Sequence, residues 1–228
     1  MDVMDFEVLP GPSLPELART ALARAAAATV SDASPIVAPP TAAPVPVRSA
    51  RDGSPLLLPA TGSPAARWLG AGPSAVRVSV PAGAPFSALR LTGTARPVTG
   101  DHETGITACV VAIESVEFTG ADSARVPLDE YRAVEPDPLW RVAPSVLRHL
   151  EQGHMAELVR CVRAHGMTKA DWVIPRNLDR YGLELLVLTA DGAALVRLSF
   201  PVGPITSIDD IPASIRTALT CRCRSESA

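Results

Sequence analysis

The chain's four histidines and four cysteines are its candidates for metal ligation or proton transfer near neutral pH. Two of the histidines, His149 and His154, fall close together in the run RHLEQGHMAEL. A neutral imidazole nitrogen of either ring can ligate a metal ion. On one unbroken helix a five-residue step turns by about 140° around the axis, so the two rings point apart, unlike an i, i+4 pair. Gly153 sits between them, and a helix break there frees His154 to open a second segment. The plain alternative is structural, with one imidazole in the apolar stripe of the helix and the other on its surface.

The remaining candidates have ordinary readings. His165 ends the same helical run ahead of Gly166, where a cation complements the negative end of a helix. His102 belongs to the polar turn GDHETG and reads as a solvated loop residue. Cys161 follows His154 at i+7 on the apolar stripe, the place of a small buried hydrophobe. Cys221 and Cys223 are close enough to share a soft ligand, but they sit in an arginine-flanked, Ser-rich tail. Four irregularly spaced cysteines in 228 residues do not make a disulfide framework, so thiols are expected. The segment GAGPSA looks superficially like a phosphate loop, yet Pro73 and the missing strand-turn-helix context argue against a dinucleotide fingerprint. No G-x-S-x-G elbow, P-loop or H-E-x-x-H occurs, which leaves hydrolase and kinase readings without support.

The histidine pair needs elements to hold it. Leu147, Leu150, His154, Leu158, Cys161 and His165 recur at three- and four-residue steps, which predicts a helix over 145–165. Strands are predicted over 170–175, 182–188 and 194–200, the last two joined by a TADGA hairpin turn. A closing helix runs from about Ser207 to Leu219, with Asp209 and Asp210 at its positive end. Together these form an α-β-β-β-α module.

The upstream pattern differs. Ser13 and Glu16 predict a capping box for a helix over 13–30. Short β-like runs follow at 34–47, 55–58, 75–80, 88–97 and 106–118, with one helical turn at 63–69. RVSV and RLTGTARPV alternate with period two, and six or so such strands suggest a small antiparallel barrel. Nineteen of the 23 prolines lie at or before Pro144, and the stretch 127–144 mixes proline and charge as a linker does. The organisation expected is α+β, with a barrel domain over 13–135 and the module over 144–222.

Charge and composition narrow the partners. With 21 basic against 24 acidic residues and a net charge of −3, the chain has no basic footprint for nucleic acid, and 4% aromatics make base stacking a poor prospect. No apolar run reaches the roughly 20 residues of a membrane span. The opening MDVMDFEVLPGP lacks the order of a secretory signal, so a cytoplasmic location is expected. Only Lys169 among the basic residues is lysine, a skew that looks like genomic base bias and carries no functional reading.

The runs HLEQGHMAELVRCVRAHG, NLDRYGLELLVL and LVRLSFPVGPITSIDDIPASIRTAL resemble the α/β module that accompanies the split barrel of HugZ-type heme-binding proteins. The family pattern is roughly H-M-N-x-D-H-x-D-x-L, then I-D-x-x-G, then R-x-x-F-P. His149, Leu150, His154, Glu157 and Leu158 match the first part, Asp179 and Gly182 the second, and Arg197, Phe200 and Pro201 the third. Glu151 stands for the family Asn, and Gly153 for its acidic residue. The first region is similar to the FMN-binding split-barrel superfamily of pyridoxamine-phosphate oxidases, in SPIVAPPTAAPVPVRSARDGSPLLLP, AVRVSV and LRLTGTARPV. That superfamily holds the FMN phosphate with Arg, Lys and Ser on adjacent strands. Arg48, Arg51, Arg67 and Arg77 make no clear cluster here and no lysine accompanies them, so FMN is not expected.

The resemblance implies an antiparallel split β-barrel followed by the small α-β-β-β-α module, dimeric through the barrel. It implies a cytoplasmic heme-binding protein that sequesters or traffics heme or answers to it in regulation. His149 or His154 would be the axial ligand of the iron, with Arg148, Arg160 and Arg180 as candidate partners of the propionates. Three other readings stay open: a heme-degrading oxygenase of the HugZ type, a flavin- or deazaflavin-dependent oxidoreductase built on the barrel, and a cofactor-free regulatory module acting through a protein partner.

Overall fold

Serine 13 begins the first element as its sequence promises. In a computed structural model of the chain, which describes residues 11–33, 43–83, 85–98, 108–201 and 203–220, the Ser13 hydroxyl accepts from the Glu16 amide at 3.4 Å. The Glu16 carboxylate accepts from the Ser13 amide at 2.9 Å, which completes the capping box of α1 (Leu14–Arg24). The helix stops at Arg24 and not at Val30. The segment expected to continue it is instead β1 (Ala27–Asp32), whose Val30 lies opposite Val78 and is fully buried. Strand pairing and burial of Val30 override the helical preference of the preceding alanines.

The strands that follow are β2 (Val45–Ser49), β3 (Pro55–Leu57), β4 (Ser74–Pro81), β5 (Ala88–Val98), β6 (Ala108–Thr119) and β7 (Ala124–Val126), with helix α2 (Pro64–Gly70) between β3 and β4. All pairings are antiparallel, in the order β3-β2-β1-β4-β5-β6-β7, and a further β3–β6 pairing closes six strands into a barrel with β7 as an added strand. Alternate residues point inward, as Val76, Val78 and Val80 of β4 and Leu89 and Leu91 of β5 show, all at most 1% exposed. The β5–β6 register shifts between Thr92 and Gly93, where any Cβ would collide with the carbonyl of Ala112. Parts of the expected strands 34–47 and 106–118 lie outside the described residues, as do His102, Cys221 and Cys223.

The proline-rich stretch 127–144 is not an empty connection. It holds α3 (Leu128–Ala133), whose Tyr131 is fully buried in the barrel core and donates its hydroxyl to the carbonyl of Gly53 at 2.8 Å. Pro127 at the start and the pair Pro136 and Pro138 beyond give this short helix the look of a linker in sequence. The chain divides into two compact units at Pro136/Asp137.

The second unit contains α4 (Ala143–Gly153), α5 (Met155–Ala164), β8 (Trp172–Asp179), β9 (Gly182–Thr189), β10 (Gly192–Ser199) and, after a 3-10 turn at Ile208–Asp210, α6 (Ile211–Thr220). The sheet order is β10-β9-β8, antiparallel throughout. Two-residue turns join the strands, Arg180-Tyr181 between β8 and β9 and Ala190-Asp191 between β9 and β10. Leu183, Leu185 and Val187 of β9 pack with Leu150 of α4 and Leu158 and Val162 of α5 in one core. The protein is therefore α+β. Among the described residues no helix is long and apolar enough to cross a membrane.

Candidate functional site

The family-like residues of the sheet serve the fold. Asp179, 3% exposed, accepts from the amides of Tyr181 at 2.9 Å and Gly182 at 3.2 Å and pairs with the Arg197 guanidinium. One carboxylate thus stitches the β8–β9 turn to β10. A Cβ at Gly182 would overlap the Leu198 carbonyl, so the close approach of β9 and β10 requires glycine there. Phe200 is buried in the same core.

The helices offer something different. The helical run expected over 145–165 breaks at His154, whose φ of −130° and ψ of 22° leave the helical region. Its amide closes α4 on the Leu150 carbonyl at 2.9 Å, and its own carbonyl accepts from Leu158 at 3.0 Å to open α5. The exposed residue Gly153 precedes the break. This turn cancels the divergence that a five-residue step has on a straight helix. The Nε2 atoms of His149 and His154 lie 3.2 Å apart, with ring centroids 5.0 Å apart and planes at 68°. Such a contact holds only while at least one ring keeps an unprotonated nitrogen to accept the other's proton.

Both rings line a cavity of about 860 Å³, within the roughly 300–1,000 Å³ range of small-molecule sites. Val146 and Leu150 of α4 and Ile211 and Ile215 of α6 form apolar walls. Glu157 and Arg160 of α5 and Arg216 of α6 add charge. Arg160 stands 3.9 Å from Glu157, an exposed pair of the i, i+3 type worth little to stability. Among the described residues no three His, Cys, Asp or Glu side chains gather as a metal cage.

Of the five residues singled out in sequence, His149, His154 and Arg160 share this cavity. Arg148 and Arg180 do not line it. Arg148 is an exposed residue one position before His149, rotated away on α4. Arg180 sits in the β8–β9 turn, its guanidinium 5.7 Å from the Tyr181 ring and its amide donating to Asp137 at 2.7 Å. Arg216 was not singled out. Its signal was the Ile211 and Ile215 spacing, which turns one face of α6 inward and brings the next residue to the rim. Cys161 is buried in the core, and His165 caps α5 with its Nδ1 2.9 Å from the Cys161 carbonyl, ahead of Gly166 at φ 97°.

No protein-family model and no curated protein matches the chain. Among solved structures, it is similar to a heme binding protein from Mycobacterium smegmatis, at 20% identity over 95% of this chain and 100% of that one, with a TM-score of 0.64. That likeness establishes the fold, an antiparallel six-stranded barrel with helices and a second small sheet. A protein of unknown function from Agrobacterium tumefaciens is similar over 92% of this chain and 97% of that one, at 17% identity and a TM-score of 0.41, too low to argue from.

Proposed function

We propose that the chain binds heme in the cavity between α4, α5 and α6, as a holder or carrier akin to the HugZ-type proteins. The observation that carries this reading is the composition of one cavity: aliphatic walls, two imidazole nitrogens and the arginines Arg160 and Arg216. A heme has an apolar planar body, an iron that takes an imidazole nitrogen, and two carboxylates suited to guanidinium groups. The M. smegmatis protein of similar fold is a heme binding protein by name, which supports the same reading.

The chain's own residues divide the work. Val146, Leu150, Ile211 and Ile215 would exclude water from the bound group, and Arg160 and Arg216 would hold its carboxylates. One of His149 and His154 would hold the iron. The two Nε2 atoms lie 3.2 Å apart. The other imidazole would stand beside the first as its neighbour. Bound heme supplies a redox-active iron. The cytoplasmic setting and the dimer through the barrel belong to the same proposal.

Hemin titration of the parent, His149→Ala and His154→Ala, with a melting curve for each, tests the reading. Loss of the ligated Soret spectrum in a variant that melts like the parent is expected. If both variants bind hemin as the parent does, the assignment fails.

A further inference from the structure

The geometry of the histidine pair points beyond heme. We infer that the Nε2 atoms of His149 and His154 are adjacent ligands of a single first-row divalent cation of the imidazole-preferring class, zinc, cobalt, nickel or copper. A cation about 2.0–2.1 Å from each nitrogen, with the nitrogens 3.2 Å apart, subtends an angle of about 100–106°. That angle lies between the octahedral and tetrahedral values, so the nitrogen separation already suits the ion.

The ring positions agree independently. The centroids are 5.0 Å apart, which exceeds the nitrogen separation of 3.2 Å by less than two full ring radii. The rings therefore meet at an angle instead of facing head-on. An angled approach weakens an N–H···N hydrogen bond, which prefers a straight line, whereas it is the approach that two ligands of one ion make. A pair five residues apart reaches this geometry only because the helix turns at His154.

Two nitrogens fill part of a coordination shell. Water takes the remaining positions, since no third His, Cys, Asp or Glu converges among the described residues. Glu157 follows His154 by three residues in α5 and lines the same cavity, so its carboxylate provides negative charge against the neighbouring Arg160 and Arg216. Zinc, cobalt, nickel and copper suit imidazole ligands, whereas magnesium and calcium prefer oxygen.

The inference does not rest on the heme reading, and the two fail separately. The test is a titration of the full-length apoprotein with Co²⁺ followed by its visible d–d bands, and with Zn²⁺ by calorimetry. One ion per chain is expected, and each of His149→Ala and His154→Ala should weaken binding at least about tenfold, since loss of mere outer-sphere partners already costs 10–100-fold. The cation should raise the melting temperature of the parent and not of the variants. A variant with Cys221→Ser and Cys223→Ser should keep the site. If the single His variants bind as tightly as the parent, or if the parent takes up no more cation than a chain carrying both His149→Ala and His154→Ala, the inference is overturned, whatever hemin does.

Discussion

Arg19, buried in the barrel unit, and the histidine pair, on the more exposed surface of the α/β unit, are both polar groups brought close to a second polar or aromatic side chain, yet the fold uses them differently. Arg19 is 2% exposed on α1, donates to the Arg51 carbonyl at 2.8 Å and lies over the Tyr131 ring at 5.3 Å. Close by, the Ser54 amide above all, and Arg19 further on, hold the Asp52 carboxyl below its ordinary range. This constellation is spent on joining α1, α3 and the β2–β3 turn of one barrel. In the α/β unit Asp179 is spent in the same way, on the β8–β9 turn and Arg197. His149 and His154 instead have each other's nitrogens and open onto a cavity. A candidate site is recognised where polar atoms are brought together without being needed by a turn, cap or strand.

That contrast can be broken most sharply at Asp179. Asp179→Ala removes the acceptor of the buried Gly182 amide and the part-buried Tyr181 amide and leaves the Arg197 guanidinium, largely buried, without its carboxylate. The expected loss is about 3–5 kcal/mol, read by chemical denaturation, with hydrogen exchange accelerating in β8–β10 and little changed in β1–β6. A loss below about 1 kcal/mol would show that the carboxylate is dispensable to the fold.

Tyr131→Phe is the corresponding change in the barrel. It keeps the ring under Arg19 and deletes only the hydroxyl that donates to Gly53, so about 1–2 kcal/mol should be lost and the effect should be confined to the barrel. Equal opening of both units in hydrogen exchange would mean that the contrast between them is not one of separate cores.

The smallest effect concerns Glu184 of β9. Burial, foremost, raises its carboxyl above the ordinary value of 4.5, with Arg197 acting in the opposite sense and Asp179 adding to the rise. A carboxyl with a raised folded-state pKa stabilises the fold in acid, and that contribution is lost as pH rises through the folded value. Glu184→Gln should therefore be slightly more stable than the parent at neutral pH, by less than about 0.5 kcal/mol after solvent screening of a half-buried group. The advantage should shrink as the pH falls from neutral toward 4.5 and be gone below it, in melts run across that range.

Much of this architecture is legible in the sequence because it follows from local rules. The Ser13–Glu16 box, the period-two alternation of β4 and β5 and the turn at Ala190-Asp191 are each set by a few adjacent residues. What escapes is set by distant partners. The residues from Ala27 to Val30 read as helix because nothing nearby reveals that Val78 will pair with Val30. α3 reads as linker because the reason for its folding, the Tyr131 hydrogen bond to Gly53, lies 78 residues back. The histidines are visible as residue types, but their convergence depends on the dihedral angles of one residue at a helix break. Arg216 escapes for a similar reason, since only the packing of α6 beside α4 and α5 brings it to their cavity.

The claim at the centre of this account is that the α/β unit, and not the barrel, holds the ligand. Hydrogen–deuterium exchange of the full-length protein with and without one equivalent of hemin tests it directly. The account predicts slowed exchange in peptides covering 145–160 and 211–216, with the barrel peptides of β1–β6 unchanged. Protection confined to the barrel peptides, with 145–160 exchanging as in the apoprotein, would contradict it.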